Sequence, residues 1–367
     1  MASIELSFID YPKVTIESKK ELLVKIRDGS GDFSTQEKIK KGTVELKAPV
    51  LREWIIEVFN GDNKVFDYQL KLEGQVVFIK FENVALGDSI LWPAYIEEFR
   101  KKYKSKVYLK TRYSELFEKS YPDITFLKKG DELKSVDVQI TPLIIIRGAP
   151  MLDSPPIALN LEKGELRPKL DKPILKRNIE KKYVCIATHS SSYYKYWLRK
   201  NGWNDVIKYL KELGYEVVCI DGDDIADYGR VEMHVPDGCV KRTGMRPLSE
   251  RINDLHFCEF FIGVGSGLAW LAWALNKPVV MISGFSNEEY EFKTPYRVIN
   301  KDVCHGCLRF SYEGKRGDMN DPFYCPEHYG TSRQHECSTE ITFEMVTEKI
   351  TKLISSSSRD PQPSLDQ

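Results

Sequence analysis

The chain has no surplus of either charge: Lys+Arg and Asp+Glu both number 54 in 367 residues, so formal net charge is zero. A general polyanion binder needs a basic excess, so no nucleic-acid partner is expected and any anion site must be local. No apolar run approaches the roughly 18 to 20 residues that cross a bilayer, so no membrane span is expected. The opening stretch MASIELSFIDYPKV lacks a basic segment followed by an apolar one, which argues against a secretory leader and for a cytoplasmic protein. Short-period repeats, a GxGxxG fingerprint and a P-loop are missing too, since no Gly-Lys-Ser/Thr follows the one glycine-rich turn.

What remains is an ordinary globular composition, 42% hydrophobic and 29% charged, long enough for two or three domains with a large core. Residues 1–82 largely alternate apolar and polar (SIELSFI, KVTIES, ELLVKIRD, TVELKA, EWIIEVF, KVFDYQLKLE, VVFIKFE), with FNGDNKVF as a hairpin turn. That period of two predicts a small all-β domain, barrel-like, suited to scaffolding or oligomer contact. From 83 to 180 the pattern becomes α/β, with Leu91, Tyr95 and Phe99 at i+4 spacing, and ends in a Pro/Lys/Glu-rich linker. A second α/β unit covers 181–300, with strands in YVCIA, YEVVCID and CEFFIGV and a helix in GWNDVIKYLKELG. Two such units imply two Rossmann-like domains with a cleft between them. A cysteine finger at 301–340, a helix at 341–355 and a disordered tail at 356–367 complete the expected layout.

Four segments could carry chemistry. In LGDSILWP, Asp88 follows Gly87 on a turn entering a helix. It is either a helix cap or a carboxylate facing the ligand crevice as a general base. In ATHSSSYYKYW, a loop of small hydroxyl residues opens at Thr188 and runs to Lys195. It is either a solvated loop or a phosphate cradle. In GVGSGLAWLAWAL, Gly265, Ser266 and Gly267 stand where a strand turns into a helix. They serve either the turn alone or the close approach of a nucleotide to the helix N-terminus. Trp270 and Trp273 beyond them read as core. Asp221-Gly222-Asp223 fits a metal-nucleotide Asp-x-Asp but is most simply a polar loop at a strand end.

The fourth segment is cysteine-rich. Cys185, Cys219 and Cys258 lie in apolar runs and read as small buried hydrophobes, and Cys239 is a loop residue. Cys304, Cys307, Cys325 and Cys337 form C-x2-C-x17-C-x11-C, which in a reducing compartment favours a metal over disulfides. Four thiolates leave no open coordination position, so the site would be structural, and both zinc and iron fit it. His305, His328 and His335 lie near enough in sequence to replace a thiolate.

Taken in order, GD before an apolar helix, T-x6-K-x-W and GSGLAWLAWAL resemble the ADP-heptose-dependent heptosyltransferases with a GT-B fold. The run from PDGCVKRTG to VCHGC, closed by YCPEH and HEC, is similar to the bacterial autotransporter O-heptosyltransferases of the TibC type. The resemblance implies an α/β GT-B glycosyltransferase with two Rossmann-like domains, a preceding all-β domain and a four-cysteine metal finger. It implies Asp88 as catalytic base, Lys195 as donor-binding lysine with Thr188 opening its loop, Gly265-Ser266-Gly267 at the nucleoside and Arg242 facing the same cleft. It also implies structural iron (Fe3+) on Cys304, Cys307, Cys325 and Cys337, with zinc as the alternative. The donor would be ADP-glycero-manno-heptose and the acceptor a Ser/Thr hydroxyl of an autotransporter adhesin passenger domain. The chain would assemble as a homo-oligomer, a dodecamer, in the bacterial cytoplasm. Lipopolysaccharide heptosyltransferases carry Asp-Thr-Gly and His where this chain has Gly265-Ser266-Gly267 and Trp270, which favours the protein-modifying branch. Two other readings stay open: another sugar-nucleotide GT-B transferase, including a lipopolysaccharide core heptosyltransferase, and a non-catalytic module docking through its metal finger.

Overall fold

The structure is a computed structural model and describes residues 2–81, 85–131, 133, 135–142, 149–308, 318 and 320–357. Part of the expected finger loop, part of the stretch after QITP and nearly all of the expected disordered tail lie outside these. The chain divides into two compact units. One comprises Met1–Val84, Leu91–Ile146 and Asp153–Asp171, the other Ala85–Ile90, Arg147–Leu152 and Lys172–Gln367.

In the first unit, strands β1 (Ser3–Ser7), β2 (Lys13–Arg27), β3 (Ser34–Glu45), β4 (Ile55–Asn60) and β5 (Asn63–Gln69) form an antiparallel sheet ordered β1-β2-β4-β5, with β3 also on β2. The alternation works as expected along β2, whose Val14, Ile16, Leu22, Val24 and Ile26 are all buried. Two of the sequence runs, KVTIES and ELLVKIRD, are one continuous strand, and a register shift against β3 between Glu17 and Leu22 absorbs the polar residues between them. The seventh run joins a different sheet. β6 (Val76–Lys80) pairs in parallel with β7 (Lys106–Lys110) and β9 (Val138–Ile140), and β8 (Ile124–Phe126) pairs with β7. Helix α1 (Leu86–Leu91) lies in the second unit up to Ile90 and leads into α2 (Pro93–Tyr103) of the first, where Tyr95 and Phe99 are fully buried. Helix α3 (Ser154–Leu159) opens the Pro-rich stretch, which then runs without regular structure to β10.

The second unit holds a six-stranded, all-parallel sheet: β10 (Tyr183–Ala187), β11 (Glu216–Cys219), β14 (Val240–Lys241), β15 (Phe261–Val264), β16 (Val279–Ile282) and β17 (Arg297–Val298). Every residue of β10, β15 and β16 is buried, which explains why these strands read as apolar runs without alternation. A hairpin, β12 (Ile225–Asp227) with β13 (Glu232–His234), stands outside the sheet. Among the described residues, helices α4 (Gly202–Glu212), α5 (Leu248–Phe257), α6 (Gly267–Ala274), the short α7 (Glu336–Thr339) and α8 (Phe343–Ser357) also belong to this unit. The sheet order β14-β11-β10-β15-β16-β17 is, in chain order of its own strands, 3-2-1-4-5-6. Strand order therefore reverses between β10 and β15. In such sheets the crevice beyond the carboxyl ends of those two strands is where ligands bind.

Candidate active site

The loop leaving β10 is built around a buried carboxylate. Asp221, at the end of β11 and 1% exposed, accepts through Oδ2 from Thr188 N (2.8 Å), Thr188 Oγ1 (2.9 Å) and Cys219 Sγ (3.2 Å). Its Oδ1 accepts from His189 N (3.1 Å). Thr188 thus opens the loop, and its hydroxyl proton is held by Asp221. Asp221 lies at a strand end as expected, but it clasps the neighbouring loop instead of lying in solvent.

The loop ends in the helical turn Tyr193–Lys195 and the segment Tyr196–Leu198, which the cysteine-bearing region holds from outside. Tyr194 N donates to Pro322 O (3.2 Å), Leu198 N to Ser338 Oγ (2.8 Å) and Trp197 Nε1 to Ile341 O (3.0 Å). Ser338 Oγ in turn donates to Tyr196 O. The Tyr193 ring lies 5.0 Å from Phe323 and the Tyr194 ring 5.8 Å from Tyr324. Lys195 is therefore mounted on a strap anchored at both faces.

Beyond β15, Ser266 caps α6 in an extended conformation (φ −142°, ψ 169°). Its Oγ is buried and has no hydrogen-bond partner among the described residues, and the same holds for both ring nitrogens of His189. The glycines on either side of Ser266 are required by close approaches. A Cβ on Gly265 would sit 2.3 Å from Glu291 Oε1, and one on Gly267 would sit 2.8 Å from Leu86 Cβ. A Cβ on Gly87 would lie 2.9 Å from Trp270 Cδ1. Leu86-Gly87 therefore packs directly on the first turn of α6, and this contact delivers Asp88 to the same end of the sheet as Lys195. Trp270 and Trp273 are 3% and 2% exposed and pack on Phe292, Trp270 edge-on and Trp273 stacked, the core role expected of them.

Asp88 and Lys195 are electrostatic neighbours. Burial raises the Asp88 carboxyl above its ordinary value, opposed by the Ala85 N–H (3.2 Å to Oδ2) and by the Lys195 charge. Burial lowers the Lys195 ammonium, opposed first by Glu291 and then by Asp88. A half-buried carboxylate with a raised pKa is a better proton acceptor than a solvated one, and an ammonium at its side suits a polyanion. Asp88 Oδ2 takes the Ala85 amide, so the capping contact and the exposure to Lys195 coexist in one residue.

Arg242 is engaged elsewhere: its Nε donates to Asp254 Oδ2 (2.8 Å), and its backbone N donates to Cys219 O (2.9 Å). Glu291 had no signal in the sequence. It lies in an irregular stretch far from Gly265 in the chain, and only the fold brings the two together.

Cys304, Cys307, Cys325 and Cys337 all carry free thiols, three of them buried and Cys304 half-buried. The four lie within electrostatic reach of one another, but among the described residues no three of their Sγ atoms come within 4.8 Å of one another. Burial and this crowding raise the thiols of Cys304 and Cys307 and push Cys337 up to about 12. Cys304 Sγ also lies with His328 and Glu336, their ligand atoms all within 4.8 Å of one another. Glu336 is already occupied, accepting from Arg333 Nη2 (2.6 Å), Arg333 Nε (2.8 Å) and Cys304 N (3.0 Å). Four cysteines in one region are the donor chemistry of a soft cation, while in this structure the three ligand atoms that come within 4.8 Å of one another are those of Cys304, His328 and Glu336.

Residues 149–311 match glycosyltransferase family 9 (heptosyltransferase). Over 337 residues the chain is 36% identical to the autotransporter heptosyltransferase Aah of Escherichia coli, covering 88% of this chain and 85% of Aah. The chain belongs to the autotransporter heptosyltransferase family. Its fold superimposes on the crystal structure of the iron-containing dodecameric glycosyltransferase TibC from enterotoxigenic E. coli with TM-score 0.89, at 34% identity and 96% coverage of both chains. TibC has also been crystallised with ADP-D-beta-D-heptose. A relative from Burkholderia thailandensis, 30% identical over 89% of this chain and 80% of its own length, is named an inactive autotransporter heptosyltransferase, BimC. Among the described residues no helix is long and apolar enough to cross a membrane.

Proposed function

We propose that this chain is an active, inverting glycosyltransferase of GT-B type that moves heptose from ADP-glycero-manno-heptose to Ser/Thr hydroxyls of an autotransporter adhesin passenger domain. The observation that carries the reading is the packing of Leu86-Gly87 on the first turn of α6, which brings Asp88 within electrostatic reach of Lys195 beside the glycine turn at the strand-order reversal. A docking module has no use for a half-buried carboxylate and a half-buried ammonium at a nucleotide-type crevice.

In this reading, Asp88 takes the proton from the acceptor hydroxyl. The hydroxyl oxygen bonds to the anomeric carbon from the face opposite ADP as the bond from that carbon to the diphosphate oxygen breaks. The electron pair leaves with ADP, where Lys195 and the Ser266-Gly267 end of α6 offset the developing charge without a divalent cation. Burial favours both roles, since opposing charges act more strongly away from water. In this reading the Gly265-Ser266-Gly267 turn at the start of α6 faces the nucleoside, Thr188 shapes the loop through Asp221, and Arg242, held by Asp254, contributes to the donor side through its loop.

Cys304, Cys307, Cys325 and Cys337 hold a structural metal, iron by the likeness to TibC, with zinc as the alternative. The metal ties the strap that carries Lys195. The same likeness supports a homo-oligomer, a dodecamer, which in this reading works in the bacterial cytoplasm. The test is incubation of the purified protein with ADP-heptose and an adhesin fragment, followed by intact-mass measurement. A heptose mass gain on Ser or Thr is expected. Turnover only with a UDP- or GDP-sugar, or none with any donor, would overturn the reading.

A further inference from the structure

Beside the Lys195 strap, the second unit holds an open cavity of about 710 Å³ that the reaction proposed above leaves unused. Tyr193 and Trp197, two residues to either side of Lys195, line it together with the first turn of α4 and the β12–β13 hairpin. Asp88, Thr188, Lys195 and the Gly265–Gly267 turn do not. Donors at this cavity lack acceptors. Trp203, in its lining, is 9% exposed, and its indole N–H is buried without a partner among the described residues. Asn201, which precedes α4, makes no side-chain cap on that helix. A buried donor without an acceptor is a cost that a ligand oxygen removes. The charges decide which oxygen. Arg199 and Lys241 are matched by Asp224 and Asp237, and His234 lies 3.4 Å from Glu232, so the lining carries no positive excess for a phosphate or carboxylate. A neutral, polyhydroxylated ring fits instead: its hydroxyls accept from an N–H and donate to a carboxylate, and its apolar face packs on aromatic rings.

We propose that this cavity is a sugar-binding subsite, separate from the donor site, that holds a heptose already attached to the acceptor chain. That the sugar is heptose rests on the function proposed above; that the cavity takes a neutral sugar does not. A modified chain held here stays beside the strap that carries Lys195. The next hydroxyl of that chain then meets the donor site at a high effective concentration, without a new encounter.

The experiment titrates free glycero-manno-heptose, and separately sodium phosphate, into the full chain saturated with ADP, so that the donor site is occupied, and reads binding by calorimetry. Heptose is expected to bind with Kd on the order of 1 mM. Trp203→Phe, which removes the N–H and keeps a ring, and Asp237→Asn should each weaken heptose about tenfold. Thermal unfolding of Trp203→Phe separates lost folding from lost binding, and Asp237→Asn, at an exposed position, does not share that risk. Phosphate that displaces heptose or binds in its place makes this an anion site and overturns the proposal. No heptose binding, or binding unchanged in both variants, overturns it too. In transfer to an adhesin fragment followed by intact mass, wild type should build multiply heptosylated chains while unmodified ones remain. Asp237→Asn should lose that bias while the first transfer keeps its rate. Equal product distributions overturn the retention role. Absence of transfer by wild type overturns the proposed function and the heptose identity, whereas the calorimetry alone decides the sugar subsite.

Discussion

Ser338→Ala tests whether the cysteine region acts on the donor site through the Lys195 strap. Ser338 is 3% exposed, and its hydroxyl both donates to Tyr196 O and accepts from Leu198 N (2.8 Å). Two hydrogen bonds of about 1 kcal/mol net each are lost, and the two backbone groups left behind can raise the cost toward 4 kcal/mol. For a unit near 200 residues, a loss of about 2–4 kcal/mol lowers Tm by about 4–16 °C. Ser338 bonds only the backbone on either side of Trp197, so any effect on ADP passes through the strap. Scanning calorimetry and ADP titration on the same preparation are expected to show both a lower Tm and a weaker ADP complex. A lower Tm with unchanged ADP affinity would show that the region supports stability alone. An unchanged Tm would refute the clamp itself.

Because burial raises Asp88, the base is lost as pH falls through a value above the ordinary carboxylate range. The acid limb of kcat/KM against pH should therefore lie above the 3.8 of a free aspartate, and Asp88→Glu should displace it. Cys325→Ser should remove bound metal by elemental analysis and weaken ADP. Metal retained in that variant but lost in His328→Ala would move the site to Cys304, His328 and Glu336. Gly87→Ala brings a methyl within 2.9 Å of Trp270 Cδ1, a ring wedged between Trp273 and Phe292. It should cost about 1–3 kcal/mol by overpacking and lower kcat more than ADP affinity, since it displaces the turn that carries Asp88.

The parts of the site that follow strands were legible in the sequence, because a strand end, a glycine and a helix start are local signals. Asp88, Lys195 and the Gly265–Gly267 turn are of this kind, and so is the buried role of Trp270 and Trp273. Strand β3 was only partly read, since STQEKIKKGTVE exposes most of its residues and shows no apolar alternation. The run VVFIK reads with the β-rich start because five residues carry no information on whether their partners are parallel or antiparallel. Asp221 looked like loop polarity because a buried carboxylate is distinguished only by the amides it accepts, and those lie more than 30 residues away in the chain. Glu291 was invisible for the same reason. The two groups that hold the loop and border Gly265 are thus set by contacts across strands, whereas the chemistry they serve was set by pattern along one.

The central claim is that Asp88 is the base, and Asp88→Asn tests it most directly. The variant should transfer heptose to an adhesin fragment about 10²–10⁴-fold more slowly in a single turnover while binding ADP at least as tightly as wild type, because it removes a negative charge beside Lys195. Heptose transfer at the wild-type rate by Asp88→Asn would contradict the account.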